Sequence, residues 1–91
     1  MVSELIHDPA RHRFSIEVDG HEAELVYVPE DGAIAIVHTG VPPEIGGRGI
    51  AGDLVKAALE FARNAGLKVK PRCEYAAAYL KRHREYDDLV V

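Results

Sequence analysis

The chain has a single cysteine, Cys73, among its 91 residues. No disulfide can close within it, and a reducing setting, the cytoplasm, is expected. No apolar run approaches the ~18 residues that a membrane-spanning helix requires, so no membrane partner is expected. The stretch from Met1 to Asp8 lacks a basic region followed by an apolar core, so no signal peptide is expected either. Five histidines are present, yet none has a second His or Cys at a metal-ligand spacing, and no metal is expected. No basic surface interleaved with aromatics stands out, and the net charge is −4, which argues against nucleic acid. The most informative absence is local. Between Val41 and Gly52 there is no Ser, Thr, Asp or Asn, the residues that usually cap a helix N-terminus.

What stands there instead is Pro42-Pro43-Glu44-Ile45-Gly46-Gly47-Arg48-Gly49-Ile50-Ala51-Gly52. The prolines end an apolar run, glycines surround one arginine, and an amphipathic helix pattern begins at once. A helix N-terminus offers backbone N–H groups without intrahelical partners, and the helix dipole makes that end positive. Glycine lets a ligand come close to bare backbone. The expected guest is an anion, a phosphate group above all.

The net charge conceals an asymmetry. From Gly46 to Arg84 there are nine basic residues and three acidic ones, so this half carries +6 and the rest −10. Two readings stand: solvated helix faces that are simply basic, or a field that steers a polyanion toward the glycine loop.

In chain order, residues 1–12 read as a loose lead-in. Phe14 to Val18 alternates apolar and polar, the period of a half-buried strand, and Asp19-Gly20 signals a type I′ hairpin. Glu22 to Val28 alternates again, with Ala23, Leu25 and Tyr27 on one face, and Pro29 to Gly32 reads as a turn. Ala33 to Val37 is continuously apolar and reads as a central strand covered on both faces. His38-Thr39-Gly40-Val41 continues it, and Gly40 suggests a bulge or a close backbone approach. The helix from about Gly49 to Ala65 shows Ile50, Leu54, Ala57, Ala58, Phe61 and Ala65 on one face, with Gly66 as its stop. A strand over Leu67 to Lys70, a second helix over Glu74 to His83 and a polar turn from Arg84 to Asp88 complete the chain. The expected fold is an α/β two-layer (α+β) single domain over residues 1–91. It has a mainly antiparallel sheet of about four strands and two helices. Exposed strand edges leave a homodimer open.

Gly47-Arg48-Gly49-Ile50-Ala51-Gly52 fits the G-x-G-x-x-G pattern of dinucleotide-binding folds, but the preceding strands form a meander rather than a parallel βαβ unit. The Gly-Lys-Ser/Thr of a Walker A loop is absent. Val41-Pro42-Pro43-Glu44, Gly47-Arg48-Gly49-Ile50-Ala51, Leu54-Val55 and Ala58-Leu59 together resemble the acetyl-coenzyme A segment of the GNAT superfamily of N-acetyltransferases. That motif is written Gln/Arg-x-x-Gly-x-Gly/Ala. Gly49 and Ala51 fill its last two positions, and Gly46 stands where the family has Gln or Arg. This departure removes a side chain from the loop but leaves the amides.

The similarity extends to a compact subgroup of about this length. It is carried by His38-Thr39, Leu67-Lys68-Val69, Pro71-Arg72-Cys73, Ala77-Ala78-Tyr79 and the terminal run from His83 to Leu89, and it covers residues 13–90. The resemblance implies acetyl-coenzyme A as cosubstrate and an amine of unidentified kind as acceptor. It implies that the loop residues Gly46, Gly47, Arg48, Gly49, Ile50 and Ala51 hold the pyrophosphate, and that His38, Thr39, Gly40 and Val41 pair with pantetheine. The resemblance also implies that the helices which follow the first strand in larger relatives, and help build the acceptor site, are missing, with Asp19-Gly20 in their place. That site is therefore expected to be open or completed by a partner.

Two residues are candidates for the chemistry. Cys73 follows a strand and starts a helix, with Lys70 and Arg72 nearby, a setting that in general favours a reactive thiolate. It would accept the acetyl group covalently before transfer. Its other reading is a small buried hydrophobe. Tyr79 matches the tyrosine that protonates the departing thiolate in larger relatives, with Tyr75 one turn earlier. Core packing is its other reading. His38 is a base for the acceptor amine or a packed histidine. A different function class also fits the departures: a sensor or interaction module that binds coenzyme A without acetylating anything.

Overall fold

The computed structural model describes residues 4–91. Strands β1 (Leu5–Asp8), β2 (Arg13–Val18), β3 (His21–Glu30) and β4 (Ala33–Gly40) pair antiparallel in chain order. Helix α1 (Ile50–Ala65) crosses the sheet, and β5 (Lys68–Pro71) returns parallel to β4 at the sheet edge. Helix α2 (Glu74–Arg82) and a 3₁₀ turn over Arg84–Leu89 follow. The sheet thus has five strands rather than about four, and the extra one lies within the expected loose lead-in. Pairing of Leu5 with Ile16 and of His7 with Phe14 turns the odd positions inward, so a two-residue period too short to stand out had structural content.

Asp19 and Gly20 have φ of 52° and 77°, as the type I′ turn requires at both central positions. Strand β3 runs through Pro29 and Glu30, so the turn there is only Asp31-Gly32. The bulge falls on Val37 rather than Gly40. Val26 pairs with His38 and Tyr27 with Ile36, which leaves Val37 as the extra residue. Val37 itself is exposed, so double-sided cover ends at Ile36.

The core lies between one sheet face and α1. Leu25, Ile34, Ile36 and Val69 meet Leu54, Val55 and Leu59, all fully buried. The buried helix face is therefore rotated from the expected stripe: Leu59 and Ala62 are inside, Ala57 and Phe61 half-buried, and Ala65 exposed. Gly66, at φ 71°, closes the helix, with Leu67 N–H donating to Ala62 C=O at 2.8 Å. The C-terminal turn is less polar than expected. Tyr86 and Leu89 are buried, and Tyr86 donates to Glu60 on α1 at 2.7 Å. Among the described residues no helix covers the opposite sheet face; Ile6 and Val28 are 54% and 45% exposed there.

Strand β1 is held by an aromatic cluster. His7 stacks on Phe14 at 4.0 Å, meets Phe61 edge-on at 4.5 Å and lies 2.6 Å from the Tyr27 hydroxyl. Burial lowers the pKa of His7, against an opposing pull from Asp8. The folded chain therefore binds this proton less readily than the unfolded chain. Stability from neutral His7 is intact above about pH 6.5 and falls as the pH drops below it. Urea unfolding at pH 7.5 and 5.5 checks this. A His7→Asn variant is expected to start less stable and to lose less on acidification; an equal loss would remove His7 as the cause.

Candidate functional site

The glycine loop is built on one buried anchor. Pro43–Ile45 forms a single 3₁₀ turn, closed by Ile45 N–H to Pro42 C=O and Gly46 N–H to Pro43 C=O, both at 3.1 Å. Ile45 is fully buried while Gly46, Gly47, Arg48 and Gly49 are exposed. Gly47 and Gly49 sit at φ of 77° and 76°, a left-handed backbone that L side chains rarely adopt. Gly49 is the N-cap of α1 and makes no side-chain capping bond. The first amides of α1 therefore face outward without intrahelical acceptors.

A cleft of about 240 Å³ opens over this end of the helix, lined by Val41, Ile45, Gly46, Gly47, Gly49, Ile50, Ala51 and Tyr75. A larger hollow of about 340 Å³, bounded by Pro71, Leu80, Lys81, Arg84 and Val90, gathers none of the candidate residues.

Beside the cleft, β4 comes free of its neighbour. The β4–β5 ladder runs only from Ala33–Lys68 to Ile36–Pro71. The Ile36 carbonyl then accepts the N–H groups of both Arg72 and Cys73 at 3.0 Å, which turns the chain away into α2. From His38 to Gly40, β4 still pairs with β3 but has lost β5. Its far edge is an open ladder, leading straight to the loop. Thr39 Oγ1 and Cys73 Sγ meet across the opening at 3.5 Å, and the same sulfur accepts from Ala76 N–H at 3.4 Å as the cap of α2. His38 is mostly exposed.

The cations are less available than the composition suggests. Arg48 bonds Asp19 of the β2–β3 turn at 2.8 Å, and Lys70 and Arg72 both bond Glu30, at 2.9 and 2.6 Å. Arg63 and Arg84 pair with Asp88 and Asp87. The two cations expected beside Cys73 are thus engaged with a carboxylate, and the positive field is partly neutralised.

Tyr79 is 7% exposed and stacks on His83 at 3.9 Å. Burial, then the charges of Glu85, Tyr75, Asp53 and Glu60, raise its pKa, so the phenol keeps its proton at neutral pH. Tyr75 lines the cleft and Tyr79 does not. Both tyrosines lie against Gly52 of α1: a Cβ built on Gly52 would stand 3.4 Å from the Tyr75 hydroxyl and 3.5 Å from the Tyr79 ring.

The structure thus gathers Val41, Gly46, Gly47, Gly49, Ile50 and Ala51 around one cleft and places Thr39 with Cys73 at the opening of β4. Arg48 is turned aside. Ile45 and Asp19 gained no role from the sequence. Ile45 carried a faint signal, as the one apolar residue between two prolines and two glycines; Asp19 was legible only as a turn residue, because its partner Arg48 is 29 residues away.

The pattern of the GCN5-related N-acetyl-transferase family matches residues 13–89. The chain belongs to that family. Among curated relatives of this GCN5-related chain, mouse Protein NATD1 is 40% identical over 78 residues, covering 82% of this chain and 71% of the relative. Zebrafish (Danio rerio) Protein NATD1 is 34% identical over 85 residues, covering 88% and 77%. A GCN5-like candidate N-acetyltransferase from Staphylococcus aureus, solved by NMR, superposes with a TM-score of 0.77 at 33% identity, over 97% of this chain and 87% of that one. The GCN5-related fold here is the two-layer α/β arrangement that the motifs imply. Among the described residues no helix is long and apolar enough to cross a membrane, and no three His, Cys, Asp or Glu side chains converge as metal ligands.

Proposed function

We propose that the protein binds acetyl-coenzyme A and transfers its acetyl group to an amine. The observation that carries this reading is the continuity of two binding features. An uncapped helix end with a glycine loop adjoins a strand edge left open by the parting of β4 from β5. The amides around Gly47 to Ala51 would hold the pyrophosphate. The backbone of His38 to Val41 would pair with the pantetheine amides and direct donors at the thioester oxygen, where charge develops in the transition state. The amine attacks the thioester carbon directly, coenzyme A leaves as a thiolate, and Tyr79 or water returns a proton to it. Gly46 leaves the loop without the family's Gln or Arg, so phosphate binding rests on backbone and on whatever Arg48 contributes once released from Asp19.

Calorimetry with acetyl-coenzyme A tests the binding, and turnover with a panel of primary amines and peptides tests the transfer. Binding without turnover of any acceptor would favour the sensor reading. In the direct route Cys73→Ala retains transfer within a few-fold of wild type. Loss of transfer in Cys73→Ala, with acetylated Cys73 seen by mass spectrometry after mixing with acetyl-coenzyme A alone, would replace it with the two-step route.

A further inference from the structure

We propose that His38 is the general base of this reaction and that Glu24 holds it in the productive tautomer. The inference rests on the acetyltransferase reading and adds an assignment to it. A cosubstrate lying along the open edge of β4 lies in the plane of the sheet, so its thioester can be approached from two faces. The helix face is occupied there: Thr39 points to it and touches Cys73 at the start of α2. Among the described residues the other face has no covering helix, which leaves an amine access from that side.

His38 stands on that open face. It pairs with Val26, one residue past the bulge at Val37, where β4 has already lost β5. The bulge matters because side chains alternate along a strand, and one inserted residue shifts every later side chain relative to the ladder. The imidazole folds back over Gly40. A Cβ built on Gly40 would stand only 2.9 Å from His38 Nε2, so the missing side chain makes room for the ring. Of the two readings of Gly40, the bulge falls instead on Val37, and a close approach, here by the His38 ring, is what the glycine accommodates.

The ring is met from the neighbouring strand. Glu24 Oε2 lies 3.5 Å from His38 Nε2, and Glu24 Oε1 accepts from Arg13 at 3.0 Å. Arg13 also bonds Glu22 at 2.9 Å. The carboxylate is thus fixed by one cation on β2 and turned toward the histidine on β4. A carboxylate at Nε2 favours the proton on that nitrogen and leaves Nδ1 as the acceptor. The proton balance is simple. As the amine attacks, the C–N bond forms and the C–S bond breaks. The surplus proton on nitrogen passes to His38 Nδ1, and the exposed imidazolium releases it to water.

Nitrogen-15 NMR of the full chain with acetyl-coenzyme A bound reads the tautomer. Neutral His38 is expected to carry its proton on Nε2, and Glu24→Ala is expected to lose that preference. With spermidine, a lysine peptide and a free peptide N-terminus as acceptors, His38→Gln is expected to lower kcat by about 100-fold or more. It keeps acetyl-coenzyme A binding, because strand pairing uses backbone. A proton on Nδ1, a tautomer indifferent to Glu24, or turnover of His38→Gln within a few-fold of wild type would overturn the assignment and leave the transferase reading standing. Wild-type protein that binds acetyl-coenzyme A but acetylates none of the acceptors overturns both.

Discussion

Gly49→Asp is expected to leave the domain folded and to weaken acetyl-coenzyme A binding by at least about 100-fold. The two effects separate because the position is open. No heavy atom beyond the neighbouring residues lies within 4 Å of a Cβ built on Gly49. The only folding cost is the left-handed backbone at φ 76° and ψ 13°, about 1–2 kcal/mol for an L residue and least for Asn or Asp. A carboxylate at this uncapped helix end returns part of that, about 0.3–1 kcal/mol, through the helix dipole. The same carboxylate occupies the amides intended for pyrophosphate and repels it. At ~5 Å and an effective dielectric near 20, each such charge pair is worth roughly 3 kcal/mol, which is more than a hundredfold in affinity. Gly49→Ala supplies the control, since it has the backbone cost without the charge and is expected to bind far better than Gly49→Asp. Calorimetry and thermal melts on the three proteins decide the matter. If Gly49→Asp binds as tightly as wild type, the loop is not the phosphate site.

Ile45→Ala is expected to lower stability and binding together. Ile45 is fully buried and is the only apolar anchor of the loop between Pro43 and Gly49. Truncating a buried isoleucine to alanine costs about 2–5 kcal/mol, through lost burial and the cavity left behind. In a domain of this size each kcal/mol shifts the melting temperature by about 4–8 °C, so a fall of roughly 10 °C or more is expected. Measured well below the melting point, affinity for acetyl-coenzyme A is also expected to fall, about tenfold by a ~1.4 kcal/mol loss of loop order. Leu59→Ala distinguishes this from general destabilisation. Leu59 is equally buried but lies in the second half of α1, away from the loop. It is expected to lower the melting temperature and leave the affinity of the folded protein unchanged. Equal losses of affinity in both variants would mean that Ile45 has no special hold on the loop.

Glu24 shows how a residue can be placed by pattern and still have no assigned partner. The alternation of Glu22 to Val28 puts Glu24 on the face opposite Leu25, as the structure has it. Nothing in that alternation says that Arg13 and His38 stand on either side of it. Those neighbours come from the register of β2 on β3 and of β3 on β4, and the second register contains the Val37 bulge. The same holds for Lys70 and Arg72. Their proximity to Cys73 in the chain suggested a cationic setting for the thiol, but both turn to Glu30, some forty residues earlier. Strand β1 was missed because four residues hold too few periods to show alternation, and its stability comes from Tyr27, Phe14 and Phe61 rather than from itself.

The sequence by itself determined what depends on neighbours along the chain. Helix α1 follows from apolar residues at three- and four-residue steps and from Gly66 at its end, and the Asp19-Gly20 turn from residues that tolerate positive φ. The uncapped, glycine-rich entry to α1 is equally local, and with the flanking motifs it carried the family resemblance. The tertiary structure alone decided where that entry leads. The parting of β4 from β5, the contact of Thr39 with Cys73 and the pairing of Glu24 with His38 join segments through ladder register and crossover. Backbone hydrogen bonding is the same for every residue type but proline, so apart from Pro71 at the end of β5 local sequence does not encode which strand edges stay open. That is settled when the hydrophobic faces of sheet and helix are buried together.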